Sequence, residues 1–113
     1  MLSRLFLIIV LSLSVNITYA AYTCAGKIEH INQAYEGSIS IISTQAFGNT
    51  LGRTICNLNA EWKGISTEVC KGWLSKALSI QAQQKTLVIQ YTDAFNCSSQ
   101  PTWGTASSPH ALY

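Results

Sequence analysis

Hydrophobic and polar side chains alternate along three segments in the first half of the chain. Residues 22–35 mix strand-forming and polar residues and end at a Glu-Gly turn signal. Residues 38–47 then alternate hydroxyl and apolar side chains, which is the period of a half-buried strand. Residues 53–59 alternate again, which places Thr54, Cys56 and Leu58 on one face. The pattern predicts a hairpin followed by a third strand.

A helical period replaces this alternation at Ser66, a residue type that favours helix N-caps. We predict a helix from about Thr67 to Gln83, with Trp73 in the core. Strand-forming residues return at 86–92, and the rest of the chain is loop-like except for a short last strand at 111–113. The inner face of the helix is formed by apolar residues at steps of three and four, namely Val69, Cys70, Trp73, Leu74, Ala77 and Ile80.

The order of these elements predicts the fold class. Three strands, one helix, a strand and a short strand make a mainly β chain with one α-helix. This order is the one expected of a small five-stranded OB-fold barrel, in which the helix connects the third and fourth strands. We expect residues 21–113 to form a single OB-like domain stabilised by disulfides.

The first 20 residues have the features of a secretory signal peptide. One positive charge precedes an apolar run at residues 5–15, and Thr18 and Ala20 occupy the small-residue positions of a cleavage site after Ala20. A retained membrane anchor is the alternative, but the run of about 11 residues is short of the ~20 that span a bilayer. We therefore expect a secreted or periplasmic protein with no stable membrane anchor after cleavage.

All four cysteines lie after this leader, and an even number in an exported chain indicates two disulfides. Zinc binding is the competing interpretation, but the spacings contain no short Cys-x-x-Cys pair. In the predicted barrel the first strand is antiparallel to the fourth. This arrangement favours Cys24 with Cys97 and Cys56 with Cys70 among the three ways of pairing them.

Charge and the remaining reactive side chains exclude several functions. Without Arg4 in the leader, six of the seven basic residues remain against five acidic ones, too even a balance for a nucleic-acid partner. His30 and His110 are far apart in sequence, and the carboxylates form no evident acid-base pair. We therefore expect no enzymatic activity, no catalytic residues, no metal and no cofactor.

Two tryptophans are the candidate ligand-binding residues. Trp62 precedes the helix, and Trp103 lies in the tail, residues 98–113. Exposed aromatic rings beside polar side chains can stack on sugar rings or contact partner proteins. The alternative is that both rings cap the ends of the barrel.

The region from Cys56 to Tyr91 resembles the receptor-binding B subunits of subtilase cytotoxin and related exported bacterial proteins. The shared layout is a cysteine-bearing strand, the segment Trp62-Lys-Gly64, a helix containing Trp73 and a branched strand ending in tyrosine. The resemblance covers about a third of the chain. It implies a disulfide-bonded OB-fold that assembles as a homopentamer and binds cell-surface glycans, often sialylated.

Two functional hypotheses follow. The first is a secreted, non-enzymatic binding module, a ring-forming homo-oligomer that binds a cell-surface glycan as toxin B subunits do. The alternative is a free-standing periplasmic or secreted protein that acts through protein–protein contact, in a structural or inhibitory role.

Overall fold

The computed structural model describes residues 21–113, and the predicted signal peptide lies outside the described residues. Within this range the chain forms six strands, one short helix and one long helix. In chain order they are β1 (Tyr22–Lys27), β2 (His30–Gln33), β3 (Ser38–Ile42), α1 (Thr44–Phe47), β4 (Arg53–Asn57), α2 (Thr67–Ala82), β5 (Thr86–Tyr91) and β6 (Ala111–Leu112).

The strands form two three-stranded sheets. Sheet 1 has the order β1-β5-β6 and sheet 2 the order β2-β3-β4. The prediction of a mostly β chain with one main helix is confirmed, but the prediction of a five-stranded OB barrel is wrong. Among the described residues the tail forms no strand ladder with β4 but only an isolated parallel bridge between Arg53 and Trp103, and the two sheets do not close into a barrel.

The predicted first strand is divided between the two sheets. It breaks at Ile28 and Glu29, where the Glu29 backbone N–H donates to the carbonyl of Ile42 at 2.9 Å. Before the break β1 pairs antiparallel with β5, and after it β2 pairs antiparallel with β3. A single bend therefore carries the chain from sheet 1 into sheet 2.

The predicted second strand ends early, because Ser43 starts helix α1. Its Oγ accepts from the Ala46 backbone N–H at 3.2 Å and donates to the Lys27 carbonyl at 2.7 Å. The first of these bonds satisfies a helix-start N–H that has no partner within the helix. The last residue of α1, Phe47, is buried in the core. An N-cap bond and the burial of one aromatic ring thus override the alternating pattern.

Both disulfides join the expected pairs. Cys24 of β1 is bonded to Cys97, and Cys56 of β4 is bonded to Cys70 in α2. The antiparallel pairing of β1 with β5 brings the first pair together, since Cys97 follows the end of β5. The second bond fastens the start of α2 to sheet 2.

Helix α2 packs against the core on part of the predicted face. Cys70 and Ala77 are buried, whereas Trp73, predicted in the core, is half-buried and packs against it. Val69 is 42% exposed, so its inclusion in the buried face is wrong. Neither helix within residues 21–113 combines the length and the hydrophobicity needed to cross a membrane. The larger core side chains come from both sheets and α1, namely Ile39, Ile41, Phe47, Ile55, Leu87, Ile89 and Tyr91.

Candidate ligand-binding cleft

A row of polar side chains crosses the three strands of sheet 2. Asn32 of β2 is opposite Ser40 of β3, and Ser40 is opposite Thr54 of β4. The hydroxyls of Ser40 and Thr54 are hydrogen-bonded to each other at 2.8 Å, and both residues are buried. The flanking residues Ile39 and Ile41 are fully buried in the core. The hydroxyl-apolar alternation thus separates a polar face from the core, as the sequence predicts.

A β-bulge in β4 directs Thr54 to this polar face. Ile39 pairs with Cys56, but the next residue, Ser40, pairs with Thr54, so Ile55 is an extra residue on β4. Because a bulge shifts the alternation by one residue, Thr54 and Cys56 point to opposite sides of sheet 2. Their predicted common face is therefore wrong. Cys56 reaches helix α2, whereas Thr54 joins the polar row.

Trp62 is held by a tight two-residue turn between β4 and α2. Its backbone N–H and carbonyl exchange hydrogen bonds with Ile65 at 3.0 and 2.8 Å. The two central residues, Lys63 and Gly64, have φ angles of 46° and 84°. Positive φ at both central positions is typical of a type I′ turn, which favours glycine at the second. The Trp-Lys-Gly sequence thus encodes the turn that places the indole of Trp62.

Trp103 is held against β4 by backbone hydrogen bonds on both sides. Its N–H donates to the Gly52 carbonyl at 2.7 Å, and its carbonyl accepts from the Thr54 N–H at 3.2 Å. Its ring lies against Gly52, because a Cβ added there would be 2.5 Å from Cζ3 of Trp103. The ring remains 40% exposed.

The two tryptophans meet at one cleft of about 340 Å³ on sheet 2. Asn32 and Asn57 bring two side-chain amides to this cleft, and Oδ1 of Asn57 accepts from the backbone N–H groups of Asn59 and Ala60. Hydroxyls, amides and two indoles therefore face one concave surface. The complete lining is Asn32, Ala34, Glu36, Ser38, Ser40, Thr54, Asn57, Trp62, Trp103 and Gly104.

A buried arginine fixes the tail that carries Trp103. Arg53 is only 1% exposed, and its guanidinium donates to the Gln100 carbonyl at 3.0 and 3.2 Å. It also donates to Asn49 Oδ1 and the Leu51 carbonyl, each at 2.7 Å, and lies over the Phe47 ring. Burial lowers the pKa of Arg53 from its usual value. The sequence alone does not predict this role, because arginine is usually exposed.

The side chain of Gln100 links the tail to sheet 1. Its Nε2 donates to the hydroxyl of Tyr22 at 2.9 Å and to Asp93 Oδ2 at 3.1 Å. The Tyr22 hydroxyl donates to Asp93 Oδ1 at 2.6 Å. Burial and the Asp93 carboxylate raise the pKa of Tyr22. Burial alone would raise the pKa of Asp93, but hydrogen bonds, first that from Tyr22, lower it overall.

Neither histidine lines the cleft, and no metal site is evident among the described residues. His30 begins β2 and His110 precedes β6, and both are exposed. In residues 21–113 no group of three or more His, Cys, Asp or Glu side chains is placed to hold a metal ion. The polar row on sheet 2 is therefore the arrangement from which a function can be argued.

Comparison with known proteins does not add a relative. No family model, no curated protein and no solved structure matches the chain.

Proposed function

We propose that this protein is a secreted, non-enzymatic module that binds a glycan in the cleft of sheet 2. The observation that carries the proposal is the convergence of Trp62 and Trp103, from two distant segments, on one polar cleft. Binding sites for small ligands are commonly concave, with aromatic surface and a few placed polar groups. This cleft has that composition.

A sugar ring matches the two kinds of surface in the cleft. Its C–H face can pack on an indole, and its hydroxyls can both donate and accept hydrogen bonds. Asn32 and Asn57 supply amide groups, and the Ser40–Thr54 hydroxyl pair lies at the centre of the polar row. A purely apolar ligand would exclude water from the two amides without replacing its hydrogen bonds, which is costly.

Export and a relation to toxin B subunits are parts of the same proposal. The predicted leader and the two disulfides support an extracellular or periplasmic location. The relation to toxin B subunits rests on the sequence resemblance between Cys56 and Tyr91. Assembly of identical subunits as a ring is also part of this proposal. Such a ring presents several clefts on one surface, which raises avidity. Light scattering of the purified protein measures the size of this assembly.

A glycan array probed with the oxidised protein tests the proposal. We expect binding that is lost in Trp62→Ala and in Trp103→Ala. Tyr35→Ala is the matched control, because Tyr35 is a fully exposed aromatic residue that is absent from the cleft lining. Folding of each variant is checked by circular dichroism. Absence of binding to every glycan, with a stable protein partner recovered instead, would favour action through protein–protein contact.

A further inference from the structure

We infer that the cleft selects neutral saccharides and discriminates against carboxylated ones such as sialylated glycans. The inference rests on the proposed function and specifies its ligand class. It is based on the charged side chains near the polar row: Glu36 lines the cleft, whereas the nearby Lys63 does not.

Glu36 is the one charged side chain among the ten lining residues. It lies in the turn between β2 and β3, where the Ser38 hydroxyl donates to its Oε1. This hydrogen bond lowers the pKa of Glu36, so its carboxylate is ionised at neutral pH. An ionised carboxylate accepts hydrogen bonds strongly and repels a second carboxylate. The cleft therefore suits hydroxyl groups and opposes acidic sugars.

Lys63 is the nearby cation that could counter this charge, but its ammonium group is already engaged. Its Nζ donates to the Ala106 carbonyl and lies 4.8 Å from the centre of the Trp62 ring. Lys63 is also absent from the cleft lining. These two contacts hold the ammonium beside the Trp62 ring, although they use only one of its three N–H donors. A cation held in this way stabilises the position of Trp62, and Glu36 remains the charged side chain that lines the cleft.

The size of the discrimination follows from the exposure of Glu36. Two like charges about 4 Å apart in water repel enough to weaken binding about fivefold, and the effect grows where protein replaces water. Since Glu36 is solvent-exposed, salt reduces this repulsion. Discrimination against sialylated glycans is therefore expected to be about fivefold or greater at low ionic strength and smaller at high ionic strength.

An array of matched pairs, each a neutral glycan and its sialylated form on the same spacer, tests the inference. At low ionic strength we expect the neutral member to bind at least about fivefold more tightly than its sialylated partner. Glu36→Gln is expected to bring the two members close to equal binding. The control Glu61→Gln, at an exposed carboxylate outside the cleft lining, leaves the ratio unchanged.

Three results separate the inference from the function on which it rests. Preferential binding of sialylated members, lost in Lys63→Gln, would overturn the inference and retain glycan binding. Equal binding of both members by the unchanged protein would also overturn it. Binding of neither member of any pair would overturn the proposed function itself.

Discussion

The indole of Trp103 lies so close to Gly52 that no side chain fits between them. A Cβ atom on Gly52 would lie 2.5 Å from Cζ3 and 2.9 Å from Cε3 of Trp103. The same two residues are joined by the hydrogen bond from the Trp103 N–H to the Gly52 carbonyl at 2.7 Å. Gly52 therefore sets both the backbone and the ring position of one wall of the cleft.

Replacing Gly52 with alanine is expected to displace Trp103 and weaken saccharide binding. The loss is roughly tenfold, equivalent to about 1.4 kcal/mol, because the ring must leave its place against β4. Binding to the array glycans gives the measurement. Gly72→Ala is the control, since a Cβ there meets no atom within 4 Å and alanine favours the helix α2. Unchanged binding in Gly52→Ala would show that Trp103 is not part of the site.

Gly64 tests whether the turn before α2 determines the position of Trp62. Its φ of 84° is strained for alanine, although space for a Cβ is open. Gly64→Ala should cost about 1 kcal/mol, a fall of roughly 4 to 8 °C in Tm. Gly104→Ala is the matched control, because its Cβ also meets nothing within 4 Å and no positive φ is required. Equal melting temperatures for the two variants would contradict the I′ turn.

The two disulfides should differ in their effect on stability. Cys24–Cys97 spans 73 residues and Cys56–Cys70 spans 14. Loop-closure entropy predicts losses of about 4.4 and about 3 kcal/mol when each pair is replaced by alanine. Denaturant unfolding of the two double variants gives the comparison. A larger loss for Cys56–Cys70 would mean that packing beneath α2 outweighs the restriction of the unfolded chain.

Stability should fall in acid through Asp93. Its pKa is lowered in the folded protein, chiefly by the Tyr22 hydrogen bond acting against burial. The contribution is therefore present above the ordinary carboxyl pKa and is lost as the pH falls through the lowered folded value. Asp93→Asn should flatten the stability profile below about pH 5. Glu61→Gln, at an exposed carboxylate, is the control, and an unaltered slope in Asp93→Asn would exclude this linkage.

The sequence predicts the elements well where a short-range pattern decides them. The Ser-Ile alternation of β3 gives both the core face and the polar row, and the period from Thr67 gives α2 to within one residue of its observed end. The I′ turn at Lys63 and Gly64 could also have been found, because a Trp-Lys-Gly segment before a helix carries the glycine that such a turn favours.

Features that depend on contacts between distant parts of the chain, or on irregular strand pairing, cannot be predicted from a local sequence pattern. The bulge at Ile55 reverses the face of Thr54, and no local signal distinguishes it from regular alternation. The burial of Arg53 depends on carbonyl groups of Leu51 and Gln100, the second 47 residues away. Trp62 and Trp103 were predicted as separate candidates, but their meeting at one cleft depends on the path of the tail along β4.

Binding of a neutral glycan in the cleft can be tested directly with the three tryptophans of the chain as reporters. Trp62 and Trp103 line the cleft, whereas Trp73 packs against the core. The indole N–H signals are followed by nuclear magnetic resonance while a neutral glycan bound on the array is added. Our account predicts that the signals of Trp62 and Trp103 shift with one saturation curve while that of Trp73 stays in place. Saturable binding that leaves the Trp62 and Trp103 signals unmoved would contradict it.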